Sequence, residues 1–248
     1  MIVKDDYLIP DWPAPANVRA FVSTRRNSPK GPLMNGPRDA VWEGQRRAWL
    51  SSWGDQLVAE WGWNTQPCWM MQVHGSQVVS ASVPFGTEAD GVWTDQRNIP
   101  CAVLTADCLP VIFCNRTGTK VAAAHAGWRG LAGGVLENTV VALDEAPENL
   151  MAWFGPAISQ PHFEVGPEVR EAFVTNDVGA VSAFIKGDGD RWFADLTLLA
   201  RQRLNAIGLT DIYGGNEYCT FQDADLCHSY RRDGVTSGRM LTAVWLAV

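Results

Sequence analysis

The chain has 248 residues, of which 46% are hydrophobic and 19% are charged, and its formal net charge is −7. This composition is ordinary for a globular protein, and the length predicts one or two domains with a core that needs no disulfides. An acidic chain without a run of Lys or Arg is a poor match for a phosphate backbone, so we do not expect nucleic acid as a partner. A small anionic substrate stays compatible with this charge, because one pocket can be locally basic.

The sequence lacks the features of export and of membrane insertion. Its first residues, MIVKDD, contain no positively charged region followed by an apolar run. No apolar stretch reaches the roughly 18 residues that span a bilayer. We therefore expect a cytoplasmic protein without a membrane partner. Its six cysteines are then expected to be reduced thiols, metal ligands or nucleophiles, and the absence of a CxxC pair argues against a zinc ribbon.

The hydrophobic pattern predicts both helices and strands. The predicted elements are a strand at 18–24, a loop at 27–37, a helix at 40–61, strands at 68–73, 77–83, 100–105, 111–114 and 120–125, a helix at 131–144, a strand at 150–154, a helix at 167–176, and a helix that begins after Asp195 and ends near Ala206. Several of the strands are apolar throughout, which is typical of buried strands. The alternation is too irregular for a βαβ repeat, so we predict an α+β fold with a single domain over residues 1–248.

Several common catalytic motifs are absent from the sequence. It contains no GxGxxG, no GxxxxGK[ST], no HExxH and no GxSxG. Dinucleotide binding, P-loop chemistry, zincin proteolysis and α/β-hydrolase chemistry therefore have no support.

Two of the four histidines lie at the ends of predicted strands, and a cysteine lies between them in the sequence. His74 follows Gln72-Val73, His125 begins the run HAGWRG, and Cys108 follows Asp107 between two apolar runs. Two imidazoles and a thiolate with one open position are typical of catalytic zinc, and His2Cys also matches the core of a blue-copper centre. The spacing alone equally allows each side chain to be satisfied separately in the core.

Five segments closely resemble the YfiH-like family and occur in the same order as in that family. They are QVHG at 72–75, TADCLPV at 105–111, HAGWRG at 125–130, FEVG at 163–166 and SYRRD at 229–233. The resemblance covers the chain from about residue 18 to its end, and the HAGWRG run is its most specific part.

This resemblance implies a fold, a metal site and a set of reactions. The implied fold is an α/β arrangement unlike the common superfolds. The implied metal is usually zinc, on His74, Cys108 and His125. The implied reactions are the phosphorolysis of adenosine, inosine, guanosine and methylthioadenosine and the deamination of adenosine. The expected partners are therefore purine nucleosides and phosphate, and the oligomeric state stays open.

The sequence departs from the family pattern in two places. After Thr24-Arg25 the family usually has a Gly-Gly-Val-Ser run and a Leu-Asn-Leu-Gly element, whereas this chain has a shortened segment that includes 33–36. The family also usually has two Phe before SYRR, whereas this chain has Cys227-His228. We interpret that pair as an aromatic replacement rather than a second metal site, and His162 as a surface or loop residue.

Candidate catalytic residues follow from what the reactions need. Asp107, next to a metal ligand, is the candidate for an acid–base role, with a structural carboxylate as the alternative. Phosphorolysis needs cationic donors for phosphate, and the candidates are Arg129, Arg25 and Arg231. Arg129 follows His125 by four residues, between Gly127 and Gly130, and a guanidinium there could bind phosphate through two hydrogen bonds. Arg231 and Arg232 could equally be surface charges.

Three other functions stay open at this point. The older family label is a copper-dependent polyphenol oxidase of the laccase type, but a trinuclear copper cluster needs more histidines than the four present. A single Cu²⁺ at the His2Cys site is compatible, with Met70 or Met71 as a weak axial ligand. A metal-free cysteine hydrolase would use Cys108 and His125, and a related suggestion for the family is editing of peptidoglycan precursors. A binding protein without catalysis is the third alternative.

Overall fold

The computed structural model describes residues 2–4, 6–28 and 39–248, which form fourteen strands and six α-helices. The strands are β1 (Ile2–Lys4), β2 (Tyr7–Ile9), β3 (Val18–Ser23), β4 (Val78–Ser80), β5 (Gly91–Thr94), β6 (Cys101–Thr105), β7 (Leu109–Asn115), β8 (Val121–Ala126), β9 (Leu150–Phe154), β10 (Glu164–Val165), β11 (Phe184–Lys186), β12 (Trp192–Ala194), β13 (Ile212–Gly214) and β14 (Met240–Leu246). The helices are α1 (Ala40–Trp61), α2 (Trp128–Ala132), α3 (Val135–Leu143), α4 (Pro167–Val174), α5 (Leu196–Ala206) and α6 (Tyr230–Asp233).

Two sheets pack face to face and carry helices on their outer faces. One sheet has the strand order β1-β2-β3-β14-β6, and the other has the order β13-β9-β7-β8-β5-β4. Between them lies an apolar layer that includes Val103, Val244, Ile112 and Ala123. The outer face of the first sheet is covered by α1, and that of the second by α3 and α5. The third sheet, β10-β12-β11, is small. The predicted α+β class is confirmed.

Helix α1 begins and ends where the sequence predicts. The side chain of Asp39 accepts a hydrogen bond from the main-chain N–H of Trp42, and Gly62 ends the helix with φ of +68°. These are the usual signals at the two ends of a helix, since a cap needs a side-chain acceptor at one end and a left-handed residue at the other. The strands predicted at 18–24, 100–105, 111–114, 120–125 and 150–154 are present within two residues of the predicted ends. The helix predicted after Asp195 is also present, as α5, and the Asp195 side chain caps it.

Three predicted elements differ from the structure. The strand predicted at 68–73 is wrong, because there only Met71 forms an isolated bridge, to Glu88. The strand predicted at 77–83 is reduced to β4. The helix predicted at 131–144 is divided into α2 and α3 by Gly133 and Gly134, because Gly134 adopts φ of +91° and interrupts the helical backbone. Most of the predicted loop at 27–37, including 33–36, lies outside the described residues.

The connection between β6 and β7 passes from one sheet to the other. It carries Ala106, Asp107 and Cys108, and β7 then pairs with β8 so that Pro110 lies opposite His125. This crossing brings residues of both sheets together at one end of the molecule. Within the described residues, no helix has both the length and the apolar character required to cross a bilayer.

Candidate metal centre and its cavity

His74, Cys108 and His125 lie together, although 50 residues of chain separate the first from the last. Their ligand atoms all lie within 4.8 Å of one another. The Cys108 Sγ is 3.8 Å from His74 Nε2, and the two imidazole ring centroids are 4.7 Å apart. The cluster is graded in exposure, since His74 is exposed, Cys108 is half-buried and His125 is buried.

Each of the three side chains is positioned by a different element. His125 lies on β8, Cys108 directly precedes β7, and His74 lies in the loop before β4. His74 has φ of +61° and Asp107, beside Cys108, has φ of +87°, both in the left-handed region that non-glycine residues seldom adopt. Backbone strain of this kind persists only where surrounding contacts hold it, and it is concentrated at functional sites.

The carboxylate of Asp90 holds both histidines. It accepts hydrogen bonds from the main-chain N–H groups of Val73, His74 and Gly75 at 3.1, 3.0 and 2.7 Å. It also accepts one from His125 Nδ1 at 2.7 Å. With Nδ1 carrying the proton, the Nε2 of His125 is free to act as a ligand. Although burial raises the pKa of Asp90, the hydrogen bond and charge of His125 and the bonds from the amides lower it overall.

Gly127 allows the cluster to close. A Cβ atom at this position would lie 2.8 Å from His74 Cδ2, closer than real Cβ atoms approach their neighbours, and in a tight contact of 3.0 Å with Cys108 Sγ. A Cβ at Gly130 would lie 2.6 Å from the carbonyl oxygen of Gly75. The two glycines of the HAGWRG run therefore give room to the His74 loop.

The protonation of the cluster favours a thiolate. Burial raises the pKa of Cys108, but the charge and hydrogen bonds of His125 and His74 outweigh it and lower this pKa to about 6. Burial lowers the pKa of His125, and the opposing effects of Cys108 and Asp90 raise it to about 9. A thiolate next to two imidazoles is a donor set that a divalent transition metal prefers.

The three residues fit a tetrahedral metal ion. Zn–S and Zn–N bonds of about 2.3 and 2.0 Å place sulfur and nitrogen about 3.5 Å apart in a tetrahedron, close to the 3.8 Å between Cys108 and His74. Within the described residues this is the single cluster of three or more such ligands. Three ligands leave a fourth position for water or substrate, which is the pattern of a catalytic rather than a structural zinc site.

The ligand cluster opens into a cavity of about 480 Å³. Besides the three ligands, the cavity is lined by Trp42, Arg46, Met71, Gln72, Leu104, Thr105, Ala106, Asp107, Ile158, Phe163, Tyr230, Arg231 and Arg239. One part of this wall is aromatic and apolar, and the other carries guanidinium groups. Such a combination can bind a flat organic ring together with an anion.

Asp107 lines the cavity, and its carboxylate is engaged in two strong hydrogen bonds. Thr220 Oγ1 donates to it at 2.6 Å, and the main-chain N–H of Arg231 donates to it at 2.7 Å. These bonds tie the connection that carries Cys108 to the segment before β14. Of the two roles that the sequence left open for Asp107, the contacts correspond to positioning rather than to proton transfer.

The three arginines predicted to bind phosphate lie in different positions relative to the cavity. Arg231 lines the cavity, where its Nη2 donates to the carbonyl oxygen of Glu164 at 3.0 Å. Arg25 forms an ion pair with Asp233 at 3.2 Å and is not part of the cavity wall. Arg129 is exposed and stacks on the ring of Trp128 at 4.3 Å, because α2 begins at Trp128 and turns this side chain outward. The structure thus brings only Arg231 of these three to the cavity.

Sequence reasoning missed Arg239, Arg46 and Asp90. Arg239 directly precedes β14, next to the end of β6, and it lies near enough to Cys108 and Asp107 for their charges to act on its pKa. Arg46 is buried on α1 and donates to the carbonyl oxygen of Met70 at 3.2 Å. Asp90 had one usable signal, since it is an acidic residue directly before an apolar strand.

Cys227 and His228 are buried and are not part of the ligand cluster. Nε2 of His228 has no hydrogen-bond partner, and burial together with Arg25 lowers the pKa of His228 to about 4. His162 stacks on Phe221 at 4.7 Å. Met70 belongs to the core between the sheets.

Comparison with known proteins identifies the family. The family model described as "Multi-copper polyphenol oxidoreductase laccase" matches residues 44–247. A protein of Escherichia coli (strain K12) named purine nucleoside phosphorylase YfiH is 44% identical over 241 residues, which are 96% of this chain and 98% of that protein. The chain belongs to the YfiH family.

Other YfiH-family proteins are similar to this chain over nearly its whole length. Purine nucleoside phosphorylase PA4543 of Pseudomonas aeruginosa is 46% identical over 254 residues, covering 97% of this chain and 98% of that protein. The crystal structure of Neisseria meningitidis protein NMB0706 matches with a TM-score of 0.85 and 41% identity, over 98% of this chain and all of that one. The resemblance predicted from the HAGWRG run and its companion segments is therefore confirmed.

Proposed function

We propose that this protein is a zinc-dependent purine nucleoside phosphorylase whose active site is the cavity beside His74, Cys108 and His125. The observation that carries the proposal is that the open side of the three-ligand cluster faces the same cavity as Arg231 and Arg239. The relatives of this chain in Escherichia coli and Pseudomonas aeruginosa bear the name purine nucleoside phosphorylase, which supports the same reaction here.

Zinc is the metal that we propose for the cluster. Its ligands would be His125 and His74 through their Nε2 atoms and Cys108 through its thiolate. A zinc ion bound there supplies Lewis acidity, which polarises oxygen atoms and makes water a better nucleophile. Asp90 keeps the His125 ring in its ligating orientation, and Asp107 fixes the position of the segment that carries Arg231.

Phosphorolysis requires a phosphate oxygen to attack C1′ of the ribose while the N-glycosidic bond breaks and the base leaves with a proton. We assign phosphate binding to Arg231 and Arg239, because guanidinium groups bind phosphate through paired hydrogen bonds. Arg239 lies over the ring of Tyr230 at 5.9 Å, and Arg231 over Phe163 at 5.6 Å. These aromatic rings hold the two guanidinium groups in place beside the cavity. The substrates that we propose are adenosine, inosine, guanosine and methylthioadenosine.

Deamination of adenosine is a second activity that we propose for the same cavity. It needs a water nucleophile at C6 and a group that transfers protons to the departing ammonia. Asp107 was the sequence-based candidate for that group. Because both of its oxygens accept short hydrogen bonds, deamination by Asp107 would require one of these bonds to break. We therefore expect deamination to be slower than phosphorolysis.

A cytoplasmic location stays a prediction from the sequence.

The two rival chemistries have weaker support. A laccase-type oxidase fits the description of the family model and the His2Cys ligand set, and Met71 lines the cavity. However, the described residues include no second cluster of His, Cys and acidic side chains for further copper ions. A cysteine hydrolase would use the Cys108 thiolate beside His125, but it would leave His74 without a function in the cluster.

The test combines metal analysis with a product assay. Purified protein is expected to contain about one zinc per chain and to convert inosine and phosphate to hypoxanthine and ribose 1-phosphate. His74→Ala, Cys108→Ala and His125→Ala should each lose zinc and activity, since an open three-ligand site has no spare protein ligand. Cys68→Ala and His162→Ala are the matched controls, and both should keep zinc and activity.

Three results would contradict the proposal. Full zinc occupancy in Cys108→Ala would remove Cys108 from the ligand set. Hydrolysis of inosine to free ribose without any need for phosphate would exclude phosphorolysis. A covalent substrate adduct on Cys108 in the zinc-loaded protein would indicate the cysteine hydrolase.

A further inference from the structure

Gln72 lies two residues before His74, and both polar atoms of its side chain are hydrogen-bonded to the main chain of Leu104. Nε2 donates to the Leu104 carbonyl oxygen at 2.9 Å, and Oε1 accepts the Leu104 N–H at 2.8 Å. A carboxamide can make both bonds because it carries an acceptor oxygen and a donor N–H side by side, as a peptide group does. The side chain of Gln72 therefore occupies the place that a neighbouring strand would take beside Leu104.

The bonded groups of Leu104 lie at the outer edge of the first sheet. Leu104 is on β6, the last strand in the order β1-β2-β3-β14-β6, and it lies opposite Leu241 of β14. In an antiparallel pair, a residue directs its main-chain N–H and C=O either both towards the partner strand or both away from it. Since both groups of Leu104 bond to Gln72, they point away from β14. Gln72 thus attaches the chain before His74 to the outer edge of β6.

Other contacts attach the same stretch of chain to the second sheet. The N–H of Met71 donates to the carbonyl oxygen of Thr87 at 2.9 Å, and the carbonyl oxygen of Met71 accepts the N–H of Ala89 at 3.3 Å. Asp90, which directly precedes β5, accepts the N–H groups of residues 73–75. The chain is therefore held on one side by the segment that leads into β5 and on the other side by β6.

The ring of His74 depends on its backbone for its position. A ligating histidine is usually oriented through the ring nitrogen that does not bind the metal. His125 is oriented in this way, because its Nδ1 donates to Asp90 at 2.7 Å. Among the described residues, the His74 ring has a hydrogen-bond contact with Cys108 alone. His74 is also exposed, and its left-handed backbone, with φ of +61°, persists only because the chain on either side of it is held.

We propose that Gln72 is a positioning residue for the metal ligand His74, which it places through its two hydrogen bonds to the edge of β6. This inference rests on the proposed function, because it assumes that the ligand cluster binds zinc. With the bonds formed, the chain that carries His74 is held between the two sheets, and Nε2 of His74 lies 3.8 Å from Cys108 Sγ. Without them this chain has more conformations in the metal-free protein. Zinc then binds only the fraction of molecules in which His74 is in place, and its apparent affinity falls by that fraction.

The experiment measures the Kd of zinc for the full-length protein by competition with a chelator of known affinity. Gln72→Met has a side chain of similar length that can form neither bond, and Gln72→Asn keeps the amide but is too short to reach Leu104. Gln77→Met is the control, because Gln77 is exposed and its side chain makes no hydrogen bond within the described part of the chain. Hydrogen exchange of the amides of residues 73–75 is followed in the same proteins, with and without zinc.

Both Gln72 variants should raise the Kd of zinc about tenfold, the lower end of the loss that is typical when a residue supporting a metal ligand is removed. The amides of residues 73–75 should exchange slowly in the metal-free wild type and faster in both metal-free variants, and zinc should slow them again. Gln77→Met should change neither the Kd nor the exchange. A residue that only stabilises the fold would lower the unfolding temperature without changing the Kd of zinc for the folded protein.

The inference is overturned if the folded Gln72 variants bind zinc as tightly as the wild type does. It is also overturned if the amides of residues 73–75 exchange freely in the metal-free wild type, a measurement that needs no variant. A raised Michaelis constant for inosine at unchanged zinc affinity would mean that Gln72, which lines the cavity, contacts the substrate instead.

Failure of the proposed function gives a different result. If the wild type binds zinc at the cluster but does not cleave inosine with phosphate, the proposed function falls and the assignment of Gln72 to His74 stands. If the wild type binds no zinc, both proposals fall together.

Discussion

The carboxylate of Asp90 and the ring Nδ1 of His125 are 2.7 Å apart, and the same carboxylate accepts the main-chain N–H of His74. A single buried acidic side chain thus fixes the ring of one predicted ligand and the backbone of the other. Such partners commonly set the tautomer and orientation of ligating histidines, and their loss costs about 10- to 100-fold in metal affinity. The bonds from Asp90 to the main-chain N–H groups of residues 73–75 hold His74 in its left-handed backbone conformation.

Asp90→Asn is expected to weaken zinc binding by about 10- to 100-fold. The amide oxygen of the new side chain can still accept hydrogen bonds. The amide nitrogen is a donor, so it cannot accept the hydrogen bonds that the second carboxylate oxygen of Asp90 now accepts. The measurement is a zinc titration against a chelator of known affinity. Asp95→Asn, at an exposed position, is the control. An unchanged zinc affinity in folded Asp90→Asn would show that the carboxylate supports the loop without supporting the metal.

Arg231→Ala is expected to raise the Michaelis constant for phosphate by at least about tenfold, because hydrogen bonds to a charged group contribute about 1.5–3 kcal/mol each. Its main-chain bond to Asp107 survives the substitution. Arg231→Lys should recover only part of the loss, since an ammonium cannot form the paired bonds of a guanidinium. The assay is inosine phosphorolysis at varied phosphate with the zinc content checked.

Arg129→Ala is the matched comparison for Arg231→Ala. The sequence favoured Arg129 for phosphate binding, whereas the structure places its exposed guanidinium on the ring of Trp128. We expect the substitution to change the phosphate Michaelis constant less than twofold. A larger effect in Arg129→Ala than in Arg231→Ala would restore the sequence-based assignment.

Local patterns were enough to predict much of the fold and the ligand cluster. Helix α1 has an acidic cap at Asp39, a glycine at Gly62 and an apolar repeat between them, and all three signals act within a few residues. The candidate ligands were found because His74, Cys108 and His125 lie in compact polar segments at the ends of apolar runs. The resemblance to the YfiH family then connected the three segments.

Contacts between distant segments could not be predicted in the same way. Asp90 acts through four donors that lie 15 to 35 residues away in the sequence. Arg239 reaches the cavity because β14 pairs with β6 across 135 residues or more. The exposed position of Arg129 on the ring of Trp128 was hidden from the sequence for a similar reason, since the start of α2 decides which way this side chain points. Pairing and helix orientation are tertiary properties that spacing does not encode.

Cys108 is expected to react rapidly with iodoacetamide at pH 7 in metal-free protein. Burial opposes ionisation, but His125 and His74 lower the pKa of this thiol to about 6, and the thiolate is the reactive form. Because the pKa is lowered, the alkylation rate should stay high above pH 6 and fall as the pH decreases through that value. Burial raises the pKa of Cys68 to about 11, so Cys68 is the slow internal control.

Bound zinc should protect Cys108 from this reaction until a chelator is added. Mass spectrometry of the alkylated peptides, with and without zinc, gives both rates in one sample. An alkylation midpoint near pH 9 in the metal-free protein would mean that the two histidines do not stabilise the thiolate. Rapid alkylation in fully zinc-loaded protein would mean that Cys108 is not a ligand.

His228 is expected to reduce the stability of the protein in mild acid. Burial and the neighbouring Arg25 lower its pKa from 6.5 to about 4, so between these values the unfolded chain binds a proton that the folded protein does not. Stability contributed by the neutral ring is therefore complete above pH 6.5 and lost as the pH falls towards 4. At pH 5 the loss amounts to about 1–2 kcal/mol.

His228→Phe removes this titrating group and should raise the free energy of unfolding at pH 5 by about 1–2 kcal/mol more than at pH 8. Urea unfolding at the two pH values gives the difference, and His162→Phe, which alters the half-buried histidine stacked on Phe221, should leave it unchanged. The double variant Cys227→Phe/His228→Phe should keep the zinc content and turnover of the wild type, since neither residue belongs to the ligand cluster. Loss of a second equivalent of metal in the double variant would show instead that the pair binds an ion of its own. An equal effect of His228→Phe at both pH values would mean that folding does not lower the pKa of His228.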